Sequence, residues 1–252
     1  MMIGIAETLA EHGRIIEEPL CQAFVANYHP DRGYGPGARL VLEAMAQGHD
    51  WQMAREYFPG GSLGNGAGMR VAPVGLLFCD DLDRAWEEAR LSALPTHLHP
   101  LGIEGAQLLA AAVALAVREP VFDRKAFFRE LFTRARQDEF RWQLSAAARL
   151  GPGDTVSFLG NGVEAHRSVV TAIACFAASP GSYEDTVSRA IGQGHDTDTL
   201  GAMAGALSGA HLGAGAIPAQ LIDKLEDDHK GRTYLRQLAT RMHEAYWRQR
   251  QP

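Results

Sequence analysis

The sequence predicts an all-α fold on three observations. Apolar residues recur at helical spacing in segment after segment, most plainly over 101–118 and 166–178. The stretches between are turns such as His29-Pro-Asp-Arg-Gly-Tyr-Gly-Pro-Gly37, whose glycines and prolines break both helical and strand periodicity. With 252 residues, 46% of them hydrophobic, the chain can bury a sizeable core in one large domain or two small ones.

The elements follow in order. Residues 1–12 read as a mostly buried helix capped by Gly13, with no side chain ahead of it to cap its first amides. A second helix over 19–28 leads into the 29–37 loop, and short amphipathic helices are expected at 38–47 and 50–58. After a glycine-rich loop and the apolar segment 71–78, Asp80 and Asp81 stand where they would cap a helix over 82–94. The long helix 101–118 stops at Pro120, Asp123 starts another through Ala135, and 139–150 runs until Gly151-Pro-Gly-Asp interrupts it. Residues 166–178 read as core, Ser182-x-x-Asp185 as the cap of the next helix, and 223–250 as one charged surface helix closing the bundle.

Composition narrows the function classes. A formal charge of −6 and a pI near 5.9 provide no basic field for phosphate backbones, which disfavours direct nucleic-acid binding. Cys21, Cys79 and Cys175 lie far apart with no Cys-x-x-Cys pair, which argues against a disulfide scaffold or a zinc ribbon and fits a reducing cytoplasm. No secretory leader pattern opens the chain.

The most informative stretch is 192–213. In Asp196-Thr-Asp-Thr, two carboxylates two residues apart join two hydroxyls at the mouth of a small-residue helix. Such hard oxygens suit Mg²⁺, Ca²⁺ or Mn²⁺; helix capping by the same side chains is the competing reading. Gly201, Gly205, Gly209 and Gly213 then recur every four residues along one face. Each costs roughly 1 kcal/mol against alanine, so close approach of a neighbouring helix is expected as the offset. A membrane span is disfavoured because 200–217 is rich in Gly and Ala and contains His211.

Three glycine loops complete the pattern: 32–37, 59–73 and 158–163. The second, Gly61-Ser-Leu-Gly-Asn-Gly-Ala-Gly-Met-Arg-Val-Ala-Pro73, offers backbone amides able to cradle phosphate with little positive charge. Its Arg70 would either neutralise phosphate or brace the loop through a carboxylate. Thr96-His-Leu-His-Pro100 invites a zinc reading with His195 or His211 as third ligand, unsupported by any matching carboxylate spacing.

These motifs resemble, in order, those of the ADP-ribosylglycohydrolase family, all-helical enzymes that remove ADP-ribose from modified proteins. The resemblance runs from Met2 to about Ala219 and is carried most specifically by 61–73 and by Asp196-Thr-Asp-Thr-Leu-Gly-Ala-Met-Ala-Gly-Ala-Leu-Ser-Gly-Ala. It implies one compact orthogonal helical bundle over 1–252. It implies metal-dependent hydrolysis of ADP-ribosyl N- or O-glycosidic bonds in the cytoplasm, with Mg²⁺ as cofactor, two ions in a complete site, and Mn²⁺ as the alternative. The partner would be ADP-ribose or an ADP-ribosylated protein, with no membrane. Asp196 and Asp198 are the implied catalytic residues, and with Thr199 the metal ligands, while Thr197 supports the turn. Gly33, Tyr34, Gly35, Gly37, Ser62, Leu63, Gly64 and Asn65 would hold the diphosphate, with His97, Leu159 and Gly160 nearer the nucleoside.

Two departures stand out. The family has Gly-Gly before the first aspartate where this chain has Gly194-His195. Its Thr-Asp-Asp-Thr metal motif, which would precede a helix like Met2-Ile-Gly-Ile-Ala-Glu-Thr-Leu, is not in the numbered chain, nor is the acidic residue further upstream. The expectation is therefore half of a two-metal site, with a non-catalytic ADP-ribose-binding module as the alternative.

Overall fold

Fifteen α-helices follow one another in the computed structural model, which describes residues 1–118, 120–151 and 153–250. They are α1 (Met2–His12), α2 (Glu17–Ala26), α3 (Pro36–Ala46), α4 (Trp51–Ala54), α5 (Gly66–Arg70), α6 (Ala72–Leu77), α7 (Leu82–Ala93) and α8 (Pro100–Arg118). The second half holds α9 (Arg124–Arg134), α10 (Asp138–Ala148), α11 (Val169–Ala178), α12 (Tyr183–Ile191), α13 (Thr197–Leu212), α14 (Ala219–Ile222) and α15 (Arg232–Arg248). Among the described residues there is no strand, only one antiparallel bridge between Gly64 and Glu164. The all-α expectation is met.

Helix α8 forms the centre because its Leu, Ala and Val residues leave no polar face to present to water. It is long and apolar enough to cross a membrane by composition, yet 83% of that stretch is buried, with α5, α6, α7 and α13 packed round it. Glycines permit the closest of these approaches. A methyl group on Gly75 of α6 would sit 2.8 Å from Val113 Cβ, and one on Gly105 of α8 would sit 2.7 Å from Ala165 Cβ. Either is tighter than van der Waals contact allows.

Local chemistry sets the helix starts. Asp81, Asp123 and Ser182 each accept a backbone N–H from the first turn of α7, α9 and α12, as the sequence predicts. Asp80 does not cap; its carboxylate takes the Tyr246 hydroxyl at 2.5 Å and Arg250 at 2.6 Å, tying α15 to the α6–α7 corner. Asp50 caps α4, which lasts four residues before a 3-10 turn. Pro152, within the predicted 151–154 turn, lies outside the described residues.

Two expectations are corrected. The charged region 223–250 is not one helix: α15 begins at Arg232, because Asp227 accepts the Thr233 N–H and hydroxyl at 2.6 and 2.7 Å and starts the helix there. The glycine ladder is not a uniform groove either. Methyls on Gly201 and Gly205 would meet Ile191 and Val187 of α12 at 3.4 and 3.5 Å, but one on Gly209 would meet nothing within 4 Å. Gly213 instead ends the helix at φ 80°.

Candidate active site

The start of α13 and the loop ahead of α5 meet although 131 positions separate them. The contact begins with Gly194 and His195, both left-handed at φ 74° and 58°. The Thr197 N–H then donates to the His195 carbonyl at 3.0 Å across Asp196, which sits at φ −85°, ψ 60° as the centre of an inverse γ-turn. Held there, Asp196 is the N-cap residue of α13 but makes no side-chain cap bond. Its carboxylate faces the loop and accepts the Asn65 Nδ2 donor at 2.7 Å. Of the two readings left open for Asp196, the geometry removes capping.

Asn65 is 6% exposed. Its amide also donates to Ser168 Oγ at 3.0 Å, with the Gly162 carbonyl at 3.4 Å. Ser168 Oγ donates in turn to the Glu164 carbonyl at 3.2 Å. The third glycine loop closes the ring: Asp196 N–H donates to Asn161 O at 3.3 Å, Asn65 N–H to Val163 O at 2.8 Å, and Ala165 N–H to Leu63 O at 2.9 Å. Asn161 Nδ2 holds the Gln193 carbonyl at 2.7 Å. Asn161, Gly162 and Ser168 therefore belong to the site beside the expected residues. Their sequence signal was the Asn-Gly pair in the 158–163 loop and a lone serine before an apolar helix.

In the second loop the amides of Gly61, Gly64 and Asn65 are already taken by Phe58 O, Ser62 Oγ and Val163 O. Those of Ser62 and Leu63, half-buried, make no hydrogen bond among the described residues and are among the loop amides available to an anion. A methyl on Gly102 would lie 2.9 Å from the His97 ring and overlap the Ser62 carbonyl, so glycine lets the loop rest on α8.

Arg70 and His97 support this loop from behind. Arg70 is buried, donates to Thr96 Oγ1 at 2.8 Å and Ser92 O at 3.0 Å, and stacks over Phe24. It braces the loop through a hydroxyl and a carbonyl, not a carboxylate, and burial brings its pKa down to about 9. His97, 3% exposed, pairs Nδ1 with Thr96 Oγ1 at 2.7 Å and lies against Gly64 and Gly66. Burial first, and the Arg70 charge second, lower its pKa to about 3, so it is neutral near pH 7.

The first glycine loop is elsewhere engaged. Tyr34 packs on Tyr28 and reaches Asn27 O, Arg32 pairs with Glu226, and Gly37 lies under the Phe58 ring. Gly33 and Gly35 are exposed. The hydrogen bonds of this loop do not run to the Asn65–Asp196 group. Leu159 is buried with its carbonyl held by Gln143 at 2.8 Å, and Gly160 follows at φ 99°.

Asp198 is exposed in the first turn of α13 and Thr199 is buried beneath it. Two carboxylates and a hydroxyl are oxygen donors that fit Mg²⁺, an ion that completes its shell with water and substrate oxygens. Among the described residues, however, no three His, Cys, Asp or Glu side chains converge as a metal group. The zinc reading falls with that: His99 Nδ1 accepts the Leu101 N–H, and His211 bonds Ala116 O among Phe122 and Phe176.

An all-helical bundle whose glycine loops enclose an aspartate at a helix mouth defines a class, and comparison with known proteins identifies it. A family model described as ADP-ribosylglycohydrolase matches residues 1–252. The chain belongs to that family of enzymes. It is 33% identical over 258 residues to ADP-ribosylhydrolase ARH3 of Danio rerio, covering 86% of this chain and 70% of that one. The Homo sapiens protein of the same name is 31% identical over 257 residues, with 86% and 70% covered. A solved structure titled ADP-ribosylglycohydrolase-related protein complex superposes with a TM-score of 0.76 at 24% identity, over 97% of this chain and 79% of its own, and shows the fold.

Proposed function

We propose that the protein is a metal-dependent hydrolase that removes ADP-ribose from modified proteins or cleaves related ADP-ribosyl N- or O-glycosidic bonds. The observation that carries the reading is the Asn65–Asp196 contact, which joins a carboxylate not spent on helix capping to the 62–65 loop, whose Ser62 and Leu63 amides make no hydrogen bond among the described residues. Asp196, Asp198 and Thr199 would hold Mg²⁺, or Mn²⁺ in its place. When bound, the ion supplies positive charge that orients ribose hydroxyls and lowers the pKa of an adjacent water. The Ser62 and Leu63 amides bind the diphosphate, and Asn65 keeps Asp196 aimed at the sugar. Departure of the protein side chain passes through an oxocarbenium-like state that a carboxylate stabilises; the exposed Asp198 is assigned that role. A cytoplasmic setting accords with Cys21, Cys79 and Cys175, all free and buried.

The test is release of ADP-ribose from a modified protein, with Mg²⁺ and with a chelator. We expect turnover that chelation and Asp196→Asn each abolish; turnover indifferent to both overturns the assignment. A second reading, an ADP-ribose-binding module with an incomplete metal site, is favoured by the missing convergence of a third carboxylate or imidazole among the described residues. It predicts ADP-ribose binding without turnover at any Mg²⁺ concentration.

A further inference from the structure

We infer that the groove between α9 and α10 is a docking site for a peptide segment of a partner protein in which acidic residues alternate with large apolar ones. The two helices are joined through residues 135–137 and pack on each other. Between them lies a cleft of about 360 Å³, lined by Phe128, Phe132 and Leu144 and by Lys125, Arg129 and Arg149. Phe128 and Leu144 are buried and form its floor, while the three cations are exposed at its rim. Among the described residues no Asp or Glu lines it.

The rim is short of counter-charge. Among the described residues Lys125 and Arg149 make no ion pair; Arg149 donates to the Ser145 hydroxyl at 2.9 Å. Arg129 has only Glu130, at 4.0 Å. The aromatic rings carry further cations, Arg124 over Phe128 and Arg141 over Phe132, whose guanidiniums donate to the carbonyls of Ala177, Ala147 and Ala135 rather than to carboxylates. Asp123 spends its carboxylate on the first amides of α9, and Asp154 accepts the Gly151 N–H at 2.8 Å. Lys125, Arg129, Arg149, Arg124 and Arg141 thus gather on one helix pair of a protein whose net charge is −6. The complementary ligand is an anion.

The apolar floor selects the class of anion. A nucleic-acid backbone is gripped by a longer run of cations and has no aliphatic side chain to place in a recess of Phe and Leu. A membrane surface is met by apolar side chains that protrude, whereas Phe128 and Leu144 are sunk below the rim. A peptide carrying Leu or Phe between Asp or Glu satisfies both parts: its apolar side chains enter between the helices and its carboxylates reach the rim. The groove is separate from the candidate active site. Along α10, Trp142 and Gln143 face the 158–160 turn, whereas Leu144, Ser145 and Ala148 stand on the opposite side of the helix and line the groove. Docking there uses none of the residues of the Asn65–Asp196 group.

The test is fluorescence polarisation with an array of labelled short peptides in which Asp or Glu alternates with Leu or Phe. Matched arrays carry Lys in place of the acids or Ser in place of the apolar residues. The protein should bind members of the acidic apolar array saturably, more weakly as salt rises from about 0.05 to 0.5 M, and should bind neither control array. Lys125→Glu combined with Arg149→Glu should weaken that binding about tenfold or more, because two attractive contacts become repulsive. Ala148→Phe, which fills the recess from an exposed position of α10, should weaken it without altering its salt dependence. Both variants should keep the wild-type helical signal and the wild-type affinity for ADP-ribose, so the groove and the proposed function are read separately. No saturable binding by any acidic apolar peptide, or binding that either variant leaves intact, overturns the groove. So does equal or tighter binding of double-stranded DNA or of phosphatidylserine vesicles that is lost in the same variants.

Discussion

At the scale of single residues, the site depends on which polar atoms are already committed. Asn65 has its amide spread over Asp196, Ser168 and the Gly162 carbonyl. Asn65→Ala should therefore lower turnover or metal affinity by about 10–100-fold, the usual effect of removing a group that orients a ligand; steady-state kinetics with a Mg²⁺ titration would show it. His97 gives a pH signature. Its folded pKa is depressed to about 3 against about 6.5 when unfolded. The unfolded chain thus binds the extra proton, and the stability that neutral His97 retains above pH 6.5 is lost as pH falls towards 3, at about 1.4 kcal/mol per pH unit. His97→Gln should flatten denaturant-measured stability between about pH 6.5 and 5.5, where reference carboxylates remain almost wholly ionised. The raised carboxyls of Glu88 and Glu104, present in both proteins, cancel in the comparison. His195 was legible as a departure from Gly-Gly and as a candidate third zinc ligand; its backbone at φ 58° is a state that no spacing reveals. His195→Gly should raise stability by about 0.5–1 kcal/mol, read as a shift of the thermal midpoint.

Elements were read from the chain with uneven success, and the glycines explain why. A small residue every four positions predicts a groove for a partner helix, yet of the four glycines in the ladder only Gly201 and Gly205 face α12. The glycines that fix packing, Gly75, Gly102 and Gly105, are scattered on α6 and α8 and carry no periodic signal. Gly209→Ala, in open space, should gain about 0.5–1 kcal/mol from helix propensity. Gly75→Ala, which would force a methyl against Val113, should cost about 1–3 kcal/mol or more. Urea melts of the pair decide whether propensity or packing governs each position. Helix starts with Asp or Ser caps were legible because the signal is local. The break at 223–231 was not, since Asp227 starts α15 through residues that the helical pattern itself contains.

Across the whole molecule, the first and last long helices are pinned by a polar knot. Glu7 of α1 accepts from Lys230 at 2.5 Å, from Asn27 at 2.8 Å and from the Tyr234 hydroxyl of α15. Burial opposes ionisation of Glu7, but these partners together hold its pKa below the usual range. That contribution is present above its unfolded pKa and is lost as pH falls through the folded one. Glu7→Ala should cost about 2 kcal/mol, less than a fully buried pair because both side chains retain some water, measured as a lower urea midpoint at constant slope. Nothing in the sequence pairs residue 7 with residue 230, whereas residues 65 and 196 are joined by the family resemblance and by no local pattern.

Asn65 and Asp196 come together only when the helices between them have formed and packed. The protein therefore has no autonomous miniature of its pocket, and no peptide excised from it can inherit the chemistry. Ligand affinity doubles as a reporter of cooperativity: loss of binding and loss of ellipticity should trace one denaturation curve.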